Sequence, residues 1–174
     1  MREPQRRPGD PTLDVRIVKA VPASLRPAWL RQVLRAAVEE PAVAAAIARL
    51  TGVRPAAVTI RLTGSREIRR LHVRFLDDPA ETDVLSFPSA SVADDGYLGD
   101  LALCWPVVMR QAAAYAQPAE TEAALLAVHG LLHLLGWDHA TPSEEREMTA
   151  RALAALSRSG VRPALDRLPE RERR

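Results

Sequence analysis

Cysteine occurs once in the 174-residue chain, at Cys104, which excludes an internal disulfide and predicts a reducing, cytoplasmic setting. Aromatic residues make up only 4% of the sequence, so its core has to come from alanine, leucine and valine. No apolar run approaches the roughly 20 residues of a membrane-spanning helix, and no membrane association is expected. The opening MREPQRRPGDPT lacks the apolar segment of a secretory signal. Rossmann and P-loop glycine fingerprints are missing, as are internal repeats. Net charge is small, formally +2, and unevenly spread: residues 1–10 carry +1 and residues 160–174 carry +2, leaving the body at −1. Basic tails of this kind touch RNA phosphates or simply aid solubility, and charge alone does not choose between these roles.

With 47% hydrophobic and 26% charged residues, the chain reads as one globular domain with a substantial core. Residues 1–12, with three prolines and no apolar periodicity, are expected to be a disordered arm, 13–159 the domain, and 160–174 a charged flexible tail. Asp14–Lys19 alternates as a strand, with Val15 and Ile17 on one face. Helical spacing covers 25–39 and about 42–50, and a second strand spans 57–63. Ser65 is the expected N-cap of a helix whose buried stripe holds Ile68, Leu71, His72 and Phe75. On that stripe His72 is a core residue rather than a metal ligand. Residues 82–88 form a short strand, 89–97 a surface loop, and 98–104 a central strand with Cys104 as a core thiol. Helices then follow over 106–116, over the stretch from Pro118 to Gly136, and from the capping box Thr141–Glu144 to about Ser159. The order gives a single α/β (α+β) domain, three or four strands packed with about five or six helices.

Histidine is concentrated in one stretch, HGLLHLLGWDH, where His129, His133 and His139 lie within eleven residues. His129 and His133, four apart, share a helix face. Gly136 supplies the left-handed turn that lets the chain double back with His139. Three converging imidazoles with an open fourth position make a catalytic zinc site. The spacing is that of metzincin peptidases, except that Gly130 stands where those enzymes carry their glutamate base.

The same stretch resembles the signature H-G-x-L-H-L-x-G-[YW]-D-H of the YbeY family, metal-dependent endoribonucleases of ribosomal RNA maturation and ribosome quality control. Thr82–Pro88 (TDVLSFP) and Leu98–Leu101 (LGDL) resemble two further family blocks, in the family's order, so the likeness spans about 70 to 150. It implies a mixed sheet packed with helices, the metal helix in a cleft, one Zn2+ per chain held by His129, His133 and His139, and cytoplasmic action. It also implies small-subunit ribosomal RNA, near the 16S 3′ end, as substrate, with ribosomal proteins and an Era-type GTPase as partners. One departure stands out. Many members place an aromatic-Arg-Gly segment six residues before the threonine of TDVLSFP, whereas here that offset gives Leu76 after Phe75, so Arg74 or Arg70 substitutes or the arginine is dispensed with.

A three-histidine zinc polarises a phosphoryl oxygen and activates water, or stabilises in-line attack by a 2′-hydroxyl; the residues do not choose between these. The base comes from elsewhere than Gly130. Asp138 is a candidate, or orients a ligand imidazole from behind. Asp83 and Ser86, and with them Asp100, either reach the cleft or make strand-end hydrogen bonds. Arg70 and Arg74 lie on one helix face, suited to phosphate, and Trp137 either stacks on a base or packs as a lid. Two other readings stand beside a zinc-dependent, single-strand-specific endoribonuclease: a metzincin-like zinc hydrolase on peptides or small molecules, and a non-catalytic ribosome-binding factor with a structural metal.

Overall fold

The computed structural model describes residues 12–52 and 54–164. Most of the expected arm and tail lies outside the described residues. At the margins the chain is ordered further than expected. The Thr12 carbonyl accepts from the Ala56 N–H, Val161 packs against the core, and the Ala164 N–H donates to Gln117 at 2.8 Å.

Four strands and seven helices are found among the described residues: β1 (Leu13–Lys19), α1 (Pro27–Ala37), α2 (Pro41–Thr51), β2 (Ala56–Thr63), α3 (Ser65–Leu76), β3 (Val84–Pro88), α4 (Val92–Asp95), β4 (Tyr97–Cys104), α5 (Trp105–Ala114), α6 (Ala119–Leu134) and α7 (Pro142–Ser157). The strands form one mixed sheet in the order β1-β2-β4-β3. β1, β2 and β4 run parallel, and β3 pairs antiparallel to β4 at the edge. Alternation decides which face each side chain takes. In β2, Val58, Ile60 and Leu62 point into the main core, while Arg61 is exposed. β4 has partners on both sides, and from Leu101 to Cys104 every residue is buried.

That alternation separates two clusters. Leu101 and Leu103 face the main core with α1, α2, α6 and α7, whereas Ala102 and Cys104 face a smaller cluster with Leu85, Ile68 of α3 and Val107 of α5. α6 and α3 therefore cover opposite faces of the β3–β4 side. α6 is apolar on almost every side, and burying a leucine such as Leu131 or Leu132 is worth about 1.5–3 kcal/mol. No helix among the described residues is long and apolar enough to cross a membrane.

Four local expectations are corrected or sharpened. Gly64, in extended conformation, caps α3, its carbonyl accepting from Glu67 and Ile68 N–H; Ser65 is already helical. The α3 stripe is fully buried only at Ile68, and toward the C-terminal end of the helix Phe75 is left 56% exposed. His72 is largely buried as expected, its side chain 12% exposed, but polar partners hold it: its Nδ1 lies 2.8 Å from the Ala80 carbonyl and its Nε2 3.8 Å from Asp78, so it braces the loop after α3. Within 89–97 the chain makes the single turn α4, steadied by Ser91 Oγ donating to Asp95.

Candidate metal centre

α6 sets His129 and His133 one turn apart, their Nε2 atoms 3.2 Å from each other. The helix ends in a double turn: the Gly136 N–H donates to the His133 carbonyl and the Trp137 N–H to that of Leu132, both at 3.0 Å. Gly136 has φ of 99°, a conformation that side-chain-bearing residues rarely adopt. Beyond it, Asp138 Oδ1 accepts from the His139 N–H at 2.8 Å, fixing the backbone that carries the third imidazole. The His139 ring lies 5.4 Å from that of His129 and 5.0 Å from that of His133, centre to centre.

One nitrogen from each ring lies within 4.8 Å of the others. Zinc–nitrogen bonds of about 2.0–2.1 Å in tetrahedral geometry call for nitrogens about 3.3 Å apart, close to the spacing of the α6 pair. Three imidazoles without a carboxylate suit a transition ion better than calcium or magnesium. The donor set fits. His133 is also held ready to ligate: burial, then the neighbouring His139, lower its pKa against the opposing pull of Asp138 and the Trp137 backbone, favouring the neutral ring.

Gly130 faces away from the imidazoles, onto the sheet. A Cβ there would stand 2.9 Å from Leu101 Cδ2 and 3.2 Å from Ser86 Oγ. Ser86 Oγ donates to the Gly130 carbonyl at 3.3 Å, joining β3 to the helix beside His129. A glutamate at this position would be driven into the core.

The other candidates are distributed unevenly. Asp138 is exposed beside His139. Asp83 accepts from its neighbour Val84 N–H at 2.8 Å and from Gln111 Nε2 of α5 at 3.0 Å, anchoring the start of β3. Asp100 projects from β4 on the face away from α6, with the Tyr97 hydroxyl 2.8 Å from its Oδ1. Arg70 and Arg74 are exposed on α3, across the sheet from α6, and Leu76 is exposed at its end. Cys104 is fully buried, and that burial pushes its thiol pKa up. Trp137 packs against the main core with the Arg151 guanidinium 5.7 Å over its ring. α7 thus supports the loop that carries His139 through Arg151, a contact the sequence did not reveal. Arg151 also pairs with buried Glu40 at 3.3 Å, and Glu40 in turn caps α2 by accepting from the Val43 N–H. An arginine among Met148, Ala152 and Ala155 on the inner side of α7 was the available signal.

A four-stranded mixed sheet carrying a helix with two of three clustered imidazoles defines an α/β protein of the three-histidine metal-site type. Comparison with known proteins narrows this. The profile of endoribonuclease YbeY matches residues 19–160. A Roseiflexus endoribonuclease YbeY is 35% identical over 161 residues, covering 86% of this chain and 94% of that one. Relatives of the same name from Kineococcus radiotolerans and Gloeobacter violaceus are 41% and 45% identical over 53% and 57% of this chain. The chain spans only 58% and 55% of those two relatives. A solution structure of TM1509 from Thermotoga maritima, 24% identical, shares the fold with a TM-score of 0.54 over 83% of this chain and 88% of that one. The chain belongs to the endoribonuclease YbeY family.

Proposed function

We propose that the chain is a zinc-dependent, single-strand-specific endoribonuclease acting on small-subunit ribosomal RNA near its 3′ end, in maturation and ribosome quality control. The observation that carries this reading is the convergence of His129, His133 and His139 in a chain of this family. Those three residues hold the zinc, one per chain, and when bound it supplies Lewis-acid polarisation of a phosphoryl oxygen. Asp138 does double duty: Oδ1 fixes the His139 backbone, and the carboxylate, exposed beside the cluster, takes up a proton from the attacking hydroxyl. Ser86 holds β3 against α6, Asp83 anchors the start of that strand, and both keep the cleft edge in place. Arg70 and Arg74 supply positive charge for the RNA backbone, and Trp137 packs as the lid over the metal helix. Action in the cytoplasm, with ribosomal proteins and an Era-type GTPase as partners, follows from the same reading.

A peptidase reading lacks support at its key position, since Gly130 points into the sheet. The test is cleavage of a precursor fragment carrying the small-subunit 3′ end, by protein as purified, chelated and zinc-restored, beside His133→Ala. Loss on chelation, recovery with zinc and a drop of at least about 100-fold in the variant are expected. Equal cleavage by the variant assigns the activity to a contaminant and refutes the reading.

A further inference from the structure

Arg66, Arg70 and Arg74 follow one another at four-residue intervals on α3, so they climb one face with a rise of about 6 Å per step. Like charges at this spacing repel and weaken a helix. All three are exposed, and none forms an ion pair among the described residues. The carboxylates nearby are engaged elsewhere: Glu67 with Arg61 at 2.8 Å, and Glu81 with Arg110 at 2.6 Å and Arg69 at 3.9 Å. Toward the C-terminal end of α3, Val73, Phe75 and Leu76 are 47%, 56% and 62% exposed, unusual for apolar side chains so close in sequence; Phe75 lies on the Ile68 side of the helix, and Arg74 reaches round to it. The Phe75 ring is nonetheless held in place. Phe87 meets it edge-on with centres 5.0 Å apart, and the Arg74 guanidinium lies 5.4 Å from its centre.

The patch and the histidine cluster lie on opposite faces of the sheet and are linked through its edge strand. Phe87 follows Ser86 in the edge strand, and Ser86 reaches across to the Gly130 carbonyl beside His129. Asp77 and Asp78, directly after Leu76, end the cationic stretch.

We infer that α3 is a landing strip for the single-stranded RNA that the cluster cuts, with phosphates on Arg66, Arg70 and Arg74 and an unpaired base stacked on Phe75. This rests on the endoribonuclease reading and adds the mode of capture. A single oriented ring beside a guanidinium matches a base plane; a paired base offers no free face to it.

The test is fluorescence anisotropy of the zinc-loaded full chain with a labelled 2′-O-methyl oligouridylate of about ten nucleotides, over a range of salt. Its competitors are duplex RNA and phosphatidylserine vesicles. For the triple variant Arg66→Gln, Arg70→Gln and Arg74→Gln, the slope of log affinity against log salt is expected to fall in magnitude by about 2. Phe75→Ala is expected to weaken binding about tenfold without moving the slope, and Phe75→Trp to restore it. The far-UV circular dichroism and urea midpoint of every variant, measured alongside, report an intact fold. An unchanged slope in the triple variant, parental affinity in Phe75→Ala, no binding by the parent chain, or equal capture of duplex or vesicles overturns the assignment. Failure of the nuclease reading is separate: the parent would bind the oligonucleotide and yet cleave nothing in the zinc add-back series.

Discussion

Gly130 sets helix propensity against close approach to the sheet. It lies mid-helix, where glycine costs about 1 kcal/mol relative to alanine, and it lets the ligand helix sit close enough for Ser86 to reach its backbone. Gly130→Ala gains that propensity but crowds Leu101, itself 1% exposed, and overpacking of this kind costs about 1–3 kcal/mol. A net loss of about 1 kcal/mol is expected. Gly130→Glu adds a carboxylate between α6 and the sheet and is expected to cost about 4 kcal/mol or more. Urea midpoints at constant slope read both, and an unshifted midpoint for the glutamate variant would contradict the packing described. The same residue therefore explains why a metzincin-like spacing comes without a metzincin base.

At the scale of elements, α7 is the support of the ligand loop. Arg151 spans from Glu40 at the start of α2 to the Trp137 ring, and its Nε is buried without a hydrogen-bond partner among the described residues. Removing one member of such a pair strands the other. In a double-mutant cycle of Glu40→Gln and Arg151→Met, a coupling of about 1–2 kcal/mol is expected, moderated because the Arg151 side chain keeps 28% of its exposure. Additivity of the two changes would show that the pair contributes nothing. This contact joins residues 111 apart in sequence, and no periodicity announces it. By contrast, the ligand helix, its closing turn at Gly136 and the Thr141–Glu144 capping box were legible in the sequence, because each is encoded within a few residues. β2 and β4 were legible through their apolar patterns. The exposure of Phe75 was not: its spacing marks a core stripe, yet the ring is 56% exposed at the end of α3. Asp100 likewise looked eligible for the cleft until the pleat turned it to the opposite face.

Across the whole molecule, two surface carboxyls report on acid stability. Hydrogen bonding from Arg26 lowers the pKa of Glu120, tying the entry of α1 to the start of α6. Ser65, then Arg110, lower that of Glu81, which lies between α3 and α5. Because both folded values lie below those of the unfolded chain, unfolding takes up protons as the medium is acidified. Their contribution is complete above the ordinary glutamate value of about 4.3 and is lost as pH falls through the lowered folded values. Exposure and screening keep it small. Urea midpoints are expected to be level near pH 6 and to decline below about pH 4, less steeply in a Glu81→Gln, Glu120→Gln double variant; identical pH profiles would remove these two groups from the account.

The three imidazoles are local in sequence: eleven residues carry them all. An unfolded chain keeps such a segment intact as a short flexible chelator, so an ion finds partners on both sides of the folding equilibrium. Stabilisation depends on the difference between those two affinities, not on the native one alone. A metal held there would therefore protect this fold less than its native affinity suggests, and a denatured sample would still deplete its buffer of the ion.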